Sequence, residues 1–291
     1  MRVCLMIEGQ EGVTWDQWRA LAATAEDAGF EGLFRSDHYA SLGGHAGRGS
    51  LDAWATINAL AAVTSRIRLG TLVSPATFRH PSTLAREVVT ASHVSGGRIE
   101  LGLGAGWHER EHRAHGFPFE SVRERFDRLE EQLEIVRRSW DEEPFDFDGR
   151  YYRLENADPL PKPVGRPNLI VGGSAAPRGV ALAKRWADEY NTTFATPDEC
   201  RRRAERVAPL PLSLMTPYLI GADEGELRVR AARLGADPVA PHWVAGTPDR
   251  VIARLRELEA AGVQRVMLQH LLHDDLDAVE LTGREVIPEV A

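Results

Sequence analysis

The sequence predicts an α/β protein in which eight parallel strands close into a (β/α)8 TIM barrel. Short apolar, often β-branched runs alternate with amphipathic helical patterns along all 291 residues. About eight such units occur, as a closed barrel requires. No Pro-, Gly- or Ser-rich linker divides the chain, so residues 1–291 are predicted to form a single domain. The alternative, an open doubly wound sheet, normally binds at one switch point, whereas unusual residues here follow many strands.

Each element of the first half is predicted from its hydrophobic pattern and its flanking residues. The first helix begins at Thr14, which is spaced from Gln17 as in a capping box, and ends at Gly29. The predicted strands cover 3–7, 32–36, 67–74 and 99–103, and the later helices cover 52–64, 81–94 and 121–140. The alternation then breaks at 144–154, where Asp148-Gly149 predicts the turn of a small inserted β-hairpin.

The second half returns to the same alternation. The predicted strands cover 168–171, 188–192, 212–220 and 263–268. Helices are predicted over 176–186 and 274–286, and helical patterns also follow the strands that end at 192 and 220. A further helix over 247–262 begins with Thr247 as N-cap and Pro248 in its first turn.

Composition argues against several classes of function. The formal charge of −8 and the absence of a Lys/Arg-rich run argue against nucleic-acid binding. No apolar run approaches the roughly 20 residues that span a bilayer, and the N-terminus does not resemble a signal peptide. The two cysteines, Cys4 and Cys200, lack C-x-x-C spacing, which favours a reduced compartment without structural zinc. We therefore expect a cytoplasmic protein without membrane or nucleic-acid partners.

A glycine-rich segment follows the fourth predicted strand. Residues 98–107 read Arg-Ile-Glu-Leu-Gly-Leu-Gly-Ala-Gly-Trp. Glycines allow the backbone to approach a ligand closely and to turn its amides towards a phosphate. The spacing G-x-G-x-G misses the dinucleotide fingerprint G-x-G-x-x-G by one residue, and glycines after a strand more often only form a turn. The segment therefore indicates a ligand site only in combination with other strand ends.

Two further strand ends carry ionisable residues, and TIM barrels hold their reactive groups at strand ends. Asp37 and His38 follow the second strand and suit acid–base work, because histidine titrates near neutral pH. The alternative is that Asp37 caps a turn and His38 is merely solvated. After the third strand, Arg79 and His80 could orient an anion or a planar ring, or could equally provide a helix cap and a surface ion pair.

The fifth and sixth strands also end in residues suited to binding. Gly172, Gly173 and Ser174 lead directly into a helix, and free amides at a helix start favour an anion. Asn191 lies in Tyr-Asn-Thr-Thr at the end of the sixth strand. Together, the ends of the second, third, fifth and sixth strands on one face of a barrel predict a ligand site on that face.

Several of these segments resemble the bacterial luciferase-like flavin/deazaflavin oxidoreductases. The similar segments are 28–38, 71–81, 95–107, 159–174 and 246–250, in the order of the family and over nearly the whole chain. The resemblance implies a barrel whose top face holds FMN or the deazaflavin coenzyme F420. The Ser-Asp-His form of the second strand end favours the deazaflavin branch. The resemblance also implies a homodimer that acts on a small-molecule substrate.

The resemblance assigns roles around the reactive ring of the coenzyme. Asp37 and His38 would lie beside the ring, with His38 as proton donor or acceptor and Asp37 orienting it. A non-prolyl cis peptide bond would form a bulge behind the ring, and Thr71–Leu72 is the predicted position. Ser74 would contact the ring system.

The remaining roles concern the rest of the coenzyme and the substrate. The ring edge and ribityl chain would be lined by Gly104, Ala105 and Gly106, and the phosphate would be held by Gly172, Gly173 and Ser174, with Asn191 nearby. Trp107 stands where the deazaflavin sugar-phosphate dehydrogenases of the family have a Glu, which suggests an apolar or planar substrate instead. His242 and His270 are further substrate-side candidates.

One motif points to a different class of enzyme. Residues 108–112 match H-E-x-x-H, which on a helix places His108 and His112 on one zinc-binding face. The run lies between Gly106 and Gly116, so the helix is short, and its flanks are polar. We therefore expect no metal here and interpret the run as a charged surface helix above the site. The glycine-rich segment 42–49 is either a mobile lid or a flexible connection.

Together these features predict an oxidoreductase that transfers a hydride between coenzyme F420 and a small organic substrate. The first alternative is an FMN-dependent monooxygenase of the same fold that receives reduced flavin from a separate reductase. A flavin-binding protein without catalysis and a zinc metallohydrolase are more distant alternatives.

Overall fold

Eight parallel strands form a closed ring in the computed structural model, which describes residues 1–45, 47–235 and 240–290. The strands in chain order are β1 (Arg2–Ile7), β2 (Gly32–Arg35), β3 (Arg68–Pro75), β4 (Ile99–Gly104), β5 (Phe145–Asp148), β6 (Arg153–Ala157), β7 (Asn168–Gly172), β8 (Glu189–Thr193), β9 (Leu212–Ile220), β10 (Val244–Gly246) and β11 (Val263–His270). The ring runs β1-β2-β3-β4-β7-β8-β9-β11 and closes by the pairing of β11 with β1. The predicted TIM barrel is confirmed.

Helices surround this ring on the outside. They are α1 (Trp15–Asp27), α2 (Ala53–Val63), α3 (Pro81–Ser95), α4 (Glu109–His115), α5 (Val122–Asp141), α6 (Pro177–Trp186), α7 (Pro197–Val207), α8 (Glu224–Leu234), α9 (Pro248–Ala260), α10 (Leu276–Glu285) and α11 (Ile287–Val290). The predicted capping box of Thr14 and Gln17 begins α1, because each satisfies a backbone amide of the other. Within the described residues, none of these helices is both long and apolar enough to cross a bilayer.

The hairpin and one additional strand lie outside the ring. β5 and β6 are antiparallel, as predicted for the insertion, and three consecutive backbone amides from Arg150 to Tyr152 donate to the Glu131 carboxylate of α5. The sequence did not predict β10, which pairs with β9 over three residues. A strand this short shows no measurable alternation of polar and apolar residues.

The alternation of side chains along each strand divides the core into two parts. In β1, Val3 and Leu5 face outwards and join the layer between strands and helices. Cys4 and Met6 face the barrel axis and pack with a second, smaller cluster that includes Met267. Successive side chains of a strand point to opposite faces, so one strand serves both layers. The inner cluster fills the middle of the barrel and forms the base beneath the carboxyl ends of the strands.

Candidate active site

A cavity of about 490 Å³ opens at the carboxyl ends of the barrel strands. Its volume lies within the usual range of small-molecule sites. Its lining includes residues of β3, β4, β7, β8, β9 and β11, together with residues that follow β1 and β2. Of the predicted site residues, it is lined by His38, Leu72, Gly104, Ala105, Gly106, Trp107, Gly172, Gly173 and Asn191. The predicted residues Asp37, Thr71, Ser74, Ser174, His242 and His270 are not in its lining.

His38 is held in this cavity by Glu111 of α4. Its Nδ1 lies 2.8 Å from Glu111 Oε2, while the backbone amides of Tyr39 and Ala40 donate to Glu111 Oε1. The carboxylate therefore connects the loop after β2 to α4 and fixes the orientation of the imidazole. Because Nδ1 is engaged, Nε2 is the ring nitrogen left for a substrate. The sequence analysis missed Glu111 in this role, although it lies inside the H-E-x-x-H run.

The surroundings of this pair favour a protonated His38 and an ionised Glu111. Burial alone would lower the pKa of His38, but the hydrogen bond and the charge of Glu111 outweigh burial, and the pKa is raised. For Glu111, burial opposes ionisation, while His38 and the two backbone amides lower its pKa overall. His38 is therefore able to hold a proton at a higher pH than a free imidazole.

Asp37 lies behind the cavity wall and does not orient His38, contrary to the sequence-based expectation. Its Oδ2 accepts a hydrogen bond of 2.7 Å from Ser74 Oγ and forms an ion pair with Arg79. Trp54 Nε1 in turn donates to Ser74 Oγ over 3.1 Å. Asp37 and His38 are neighbours in the chain after β2, but their side chains have different partners, Ser74 and Arg79 for Asp37 and Glu111 for His38. Ser74 thus joins α2, β3 and Asp37 beneath the surface instead of lining the site.

A bulge in β3 shapes one wall of the cavity. The register of β3 against β4 shifts between Thr71 and Ser74, and a non-prolyl cis peptide bond joins Leu72 and Val73. The predicted position, Thr71–Leu72, is therefore wrong by one residue. Val73 projects from the bulge against Gly102 and Gly104, where an added Cβ would come within 2.9 Å and 2.7 Å of its methyl groups. These two glycines make room for the bulge, which is a packing role that the sequence analysis did not consider.

We expect Gly102→Ala to destabilise the protein by about 1–3 kcal/mol, since overpacking a rigid core costs that much. The new Cβ would collide with the carbonyl oxygen of Thr71 as well as with Val73. Urea denaturation of the variant measures the loss. Gly49→Ala is the matched control, because a Cβ at Gly49 meets nothing within 4 Å. Equal stability of the two variants would contradict this account of the bulge.

The turn between β7 and α6 lies at the edge of the cavity, and two of its backbone amides already have acceptors within the protein. The amide of Gly173 donates to the Asn191 carbonyl over 2.9 Å, and the amide of Ala175 donates to the Tyr190 hydroxyl over 3.0 Å. Ala176 is the N-cap of α6 and provides no side-chain hydrogen bond to its first turn. An uncapped helix start is suited to an anion such as a phosphate. Ser174 faces a separate cleft beyond this turn.

The floor of the cavity carries a polar network that the sequence analysis missed. Glu8 follows β1 directly and is buried. Its carboxylate accepts hydrogen bonds from Gln10 Nε2 over 2.7 Å and from Gln269 Nε2 over 2.5 Å. Ser36 donates to Gln10 and completes the network. The position of Glu8 directly after a barrel strand was the available signal, because the ends of the second to sixth strands were searched on that basis.

Aromatic side chains surround the mouth of the cavity. Trp107 is 63% exposed and lies edge-on to His38, with 5.8 Å between the ring centroids. Phe194 also lines the cavity and packs against His242, with 5.8 Å between the ring centroids. His242 therefore supports the mouth indirectly, whereas His270 is buried beside Tyr218 and lies outside the lining. Burial lowers the pKa of His270 to about 4.

The two histidines of the H-E-x-x-H run do not converge as a zinc pair. His112 uses Nε2 on Thr77 Oγ1 at 2.6 Å and Nδ1 on the His108 carbonyl at 2.8 Å. His108 instead lies beside Glu111 and His38, and the potential ligand atoms of these three residues are within 4.8 Å of one another. Burial is the main cause that lowers the pKa of His108. The helix that was predicted to lie on the surface is α4, and its buried residue Glu111 instead contacts His38 in the site.

Comparison with known proteins agrees with this geometry. The profile of the luciferase-like monooxygenase family matches residues 2–210. The chain belongs to this family. Among its luciferase-like relatives is an F420-dependent glucose-6-phosphate dehydrogenase of Amycolatopsis mediterranei, 28% identical over 92% of each chain. An FMNH(2)-dependent dimethylsulfone monooxygenase of Pseudomonas fluorescens is also 28% identical, over 94% of this chain and 87% of that protein.

A solved structure shares the luciferase-like fold over its full length. It is an F420-dependent secondary alcohol dehydrogenase in complex with an F420-acetone adduct, with a TM-score of 0.84 and 21% identity. The alignment covers 100% of this chain and 99% of that one. Members of the family thus include both deazaflavin and flavin enzymes, and the chain is an oxidoreductase of this group.

Proposed function

We propose that the chain is a coenzyme F420-dependent oxidoreductase that transfers a hydride between the deazaflavin ring and a small apolar or planar organic substrate. The observation that carries the proposal is a single imidazole in the cavity, His38, held by a carboxylate with one nitrogen left free. Hydride transfer to or from a carbonyl or alcohol requires a partner that supplies or accepts one proton. The free Nε2 of His38 meets this requirement.

The lining of the cavity supports the binding of a flat tricyclic ring with a phosphate-bearing chain. Leu72, Val73 and Met215 give it apolar walls. Gly104 and Gly172 leave room where side chains would meet Val73. The uncapped start of α6 would hold the phosphate. When bound, the coenzyme supplies the hydride chemistry, and the protein supplies binding and orientation.

The protein's own residues then divide the work. His38 exchanges a proton at Nε2, and Glu111 keeps the ring oriented and stabilises its charged form. Trp107 and Phe194 lie exposed in the lining of the cavity, where a bound coenzyme and substrate would pack against them and displace water. Trp107 occupies the position at which the resemblance places a Glu in the sugar-phosphate dehydrogenases. This difference supports an apolar or planar substrate in place of a sugar phosphate.

An FMN-dependent monooxygenase is the second candidate. It is favoured by the dimethylsulfone monooxygenase of Pseudomonas fluorescens, which has the same 28% identity as the glucose-6-phosphate dehydrogenase of Amycolatopsis mediterranei. In this case the same cavity would receive reduced flavin from a separate reductase.

An equilibrium titration of the metal-free protein with F420, FMN and reduced FMN distinguishes the two candidates. We expect micromolar or tighter binding of F420 and much weaker binding of both flavin forms. Gly104→Val should abolish binding by filling the cavity beside Val73, whereas Gly49→Val is the control in open space. Preference for reduced FMN would move the protein to the monooxygenases. Failure of all three ligands to bind would overturn the assignment of the cavity as a coenzyme site.

A further inference from the structure

A second, smaller cleft lies on the other side of the β7–α6 turn. Its volume is about 180 Å³, and it is lined by Ser174, Glu199, Arg202, Arg203 and Arg206. Ser174 directly follows Gly172 and Gly173, which line the main cavity. One turn of backbone therefore separates the two cavities. We call the smaller one the arginine cleft.

The arginine cleft carries a net positive charge. Arg203 is anchored, because its Nη1 donates to Thr192 and to the carbonyl of Thr193 at the end of β8. Glu199, the one carboxylate among the described residues of the lining, is already engaged by the capping box at the start of α7 and lies 3.6 Å from Arg203. In the part of the chain that the structure describes, Arg202 and Arg206 form no ion pair. Two guanidinium groups are thus left to bind an anion.

The position of the cleft indicates which anion it would meet. A coenzyme whose ring lies in the main cavity and whose phosphate lies at the β7–α6 turn would emerge from that turn beside Ser174. FMN ends at its phosphate. Coenzyme F420 continues beyond its phosphate as a lactyl-oligoglutamate chain that carries several carboxylates. Guanidinium groups bind carboxylates through paired, charge-assisted hydrogen bonds.

We propose that the arginine cleft binds the carboxylates of the oligoglutamate tail, through Arg202 and Arg206, with Arg203 completing the positive field. This inference rests on the proposed function. It makes the cleft a second determinant of coenzyme choice, outside the ring-binding cavity, because FMN has no group that reaches it. The charges are exposed, so their contribution to affinity is modest and decreases with added salt.

The test compares F420 that carries several glutamates with the tail-less form that ends at phospholactate. Both are titrated against the wild-type protein and against Arg202→Gln/Arg206→Gln. We expect the double variant to lose roughly tenfold in affinity for the tailed form, as two exposed charge pairs allow. Its affinity for the tail-less form should change less than about twofold. The wild-type affinity for the tailed form should also fall more steeply with salt than that of the double variant.

Arg201→Gln/Arg256→Gln is the matched control, since it removes the same charge from two exposed sites outside the cleft. Unchanged affinity of the cleft variant for the tailed form would overturn the inference while leaving the proposed function intact. Equal losses for both forms would also overturn it, because the cleft would then bind the phosphate. If the wild-type protein binds neither form, the proposed function itself fails, and the inference fails with it.

Discussion

We expect His38→Ala to lower turnover by about 10²- to 10⁴-fold, the usual range for loss of a general acid or base. Coenzyme affinity should change little, because the cavity keeps its apolar walls and its glycine-lined edge. Steady-state kinetics on the best substrate from a screen of small apolar alcohols, ketones and enones would measure the first effect. A coenzyme titration of the same variant would measure the second.

His93→Ala is the control for this prediction, because His93 lies on α3 and is absent from the cavity lining. Full turnover of the His38 variant with normal coenzyme affinity would show that another group moves the proton. A parallel loss of coenzyme affinity would instead show that His38 is needed for binding.

The pH dependence separates Glu111 from Asp37 as partners of His38. The pKa of His38 is raised in the protein although burial opposes this. Among the carboxylates that raise it, Glu111 has the largest effect and Asp37 has a smaller one. Glu111→Gln removes that charge, so the pKa of His38 falls and the corresponding limb of the pH–rate profile moves to lower pH. Asp37→Asn should move it much less. A larger shift from Asp37→Asn would contradict the observed hydrogen bonding.

The barrel could be predicted from the sequence because its signals are local. The first strand was placed at 3–7 and is observed at Arg2–Ile7, since its apolar run sits between polar residues. The capping box at the start of α1 could likewise be predicted, because Gln17 follows Thr14 by three residues. By contrast, β10 has only three residues and depends on pairing with β9, which no local pattern reveals.

The site was predictable as a set of loops but not as a set of contacts. Asp37 and His38 are adjacent in sequence, yet only His38 lines the cavity. Its partner Glu111 lies 73 residues further along the chain, on a helix of seven residues. In such a short helix, the contacts with neighbouring elements decide which side chains face the site, and the spacing of residues within the helix does not. The H-E-x-x-H spacing draws attention to His108 and His112, whereas the residue of this run that holds His38 is Glu111.

Long-range ion pairs inside the barrel were also beyond the reach of the sequence. Arg265 near the start of β11 binds the carboxylate of Glu100 in β4 through two hydrogen bonds of 2.7 Å and 3.0 Å, although the residues are 165 positions apart. Glu189 lies 3.2 Å from the same guanidinium. All three side chains are buried. The arginine holds the pKa of Glu100 down to about 2 against the opposing effect of burial.

Arg265→Met should therefore destabilise the protein by up to about 3–5 kcal/mol at neutral pH, because it removes the buried cation that Glu100 and Glu189 share. Glu100 would keep the partly exposed Arg68 and the Asn168 amide as partners. Arg284→Met is the control, since the Arg284–Glu285 pair is exposed (63% and 47%), and it should change stability by less than about 1 kcal/mol.

The pH dependence tests the cause of the loss. Because the pKa of Glu100 is lowered from its ordinary value of 4.5 to about 2, the ionised carboxylate stabilises the wild type at a pH above 4.5. This contribution to the free energy of unfolding is lost as the pH falls towards 2. Protonation removes the carboxylate charge that Arg265 no longer compensates in the variant, so the stability deficit of the variant should narrow in acid. Urea denaturation between pH 7 and acid would measure the deficit, and a deficit that stays constant or grows in acid would show that lost packing, not unpaired charge, causes it.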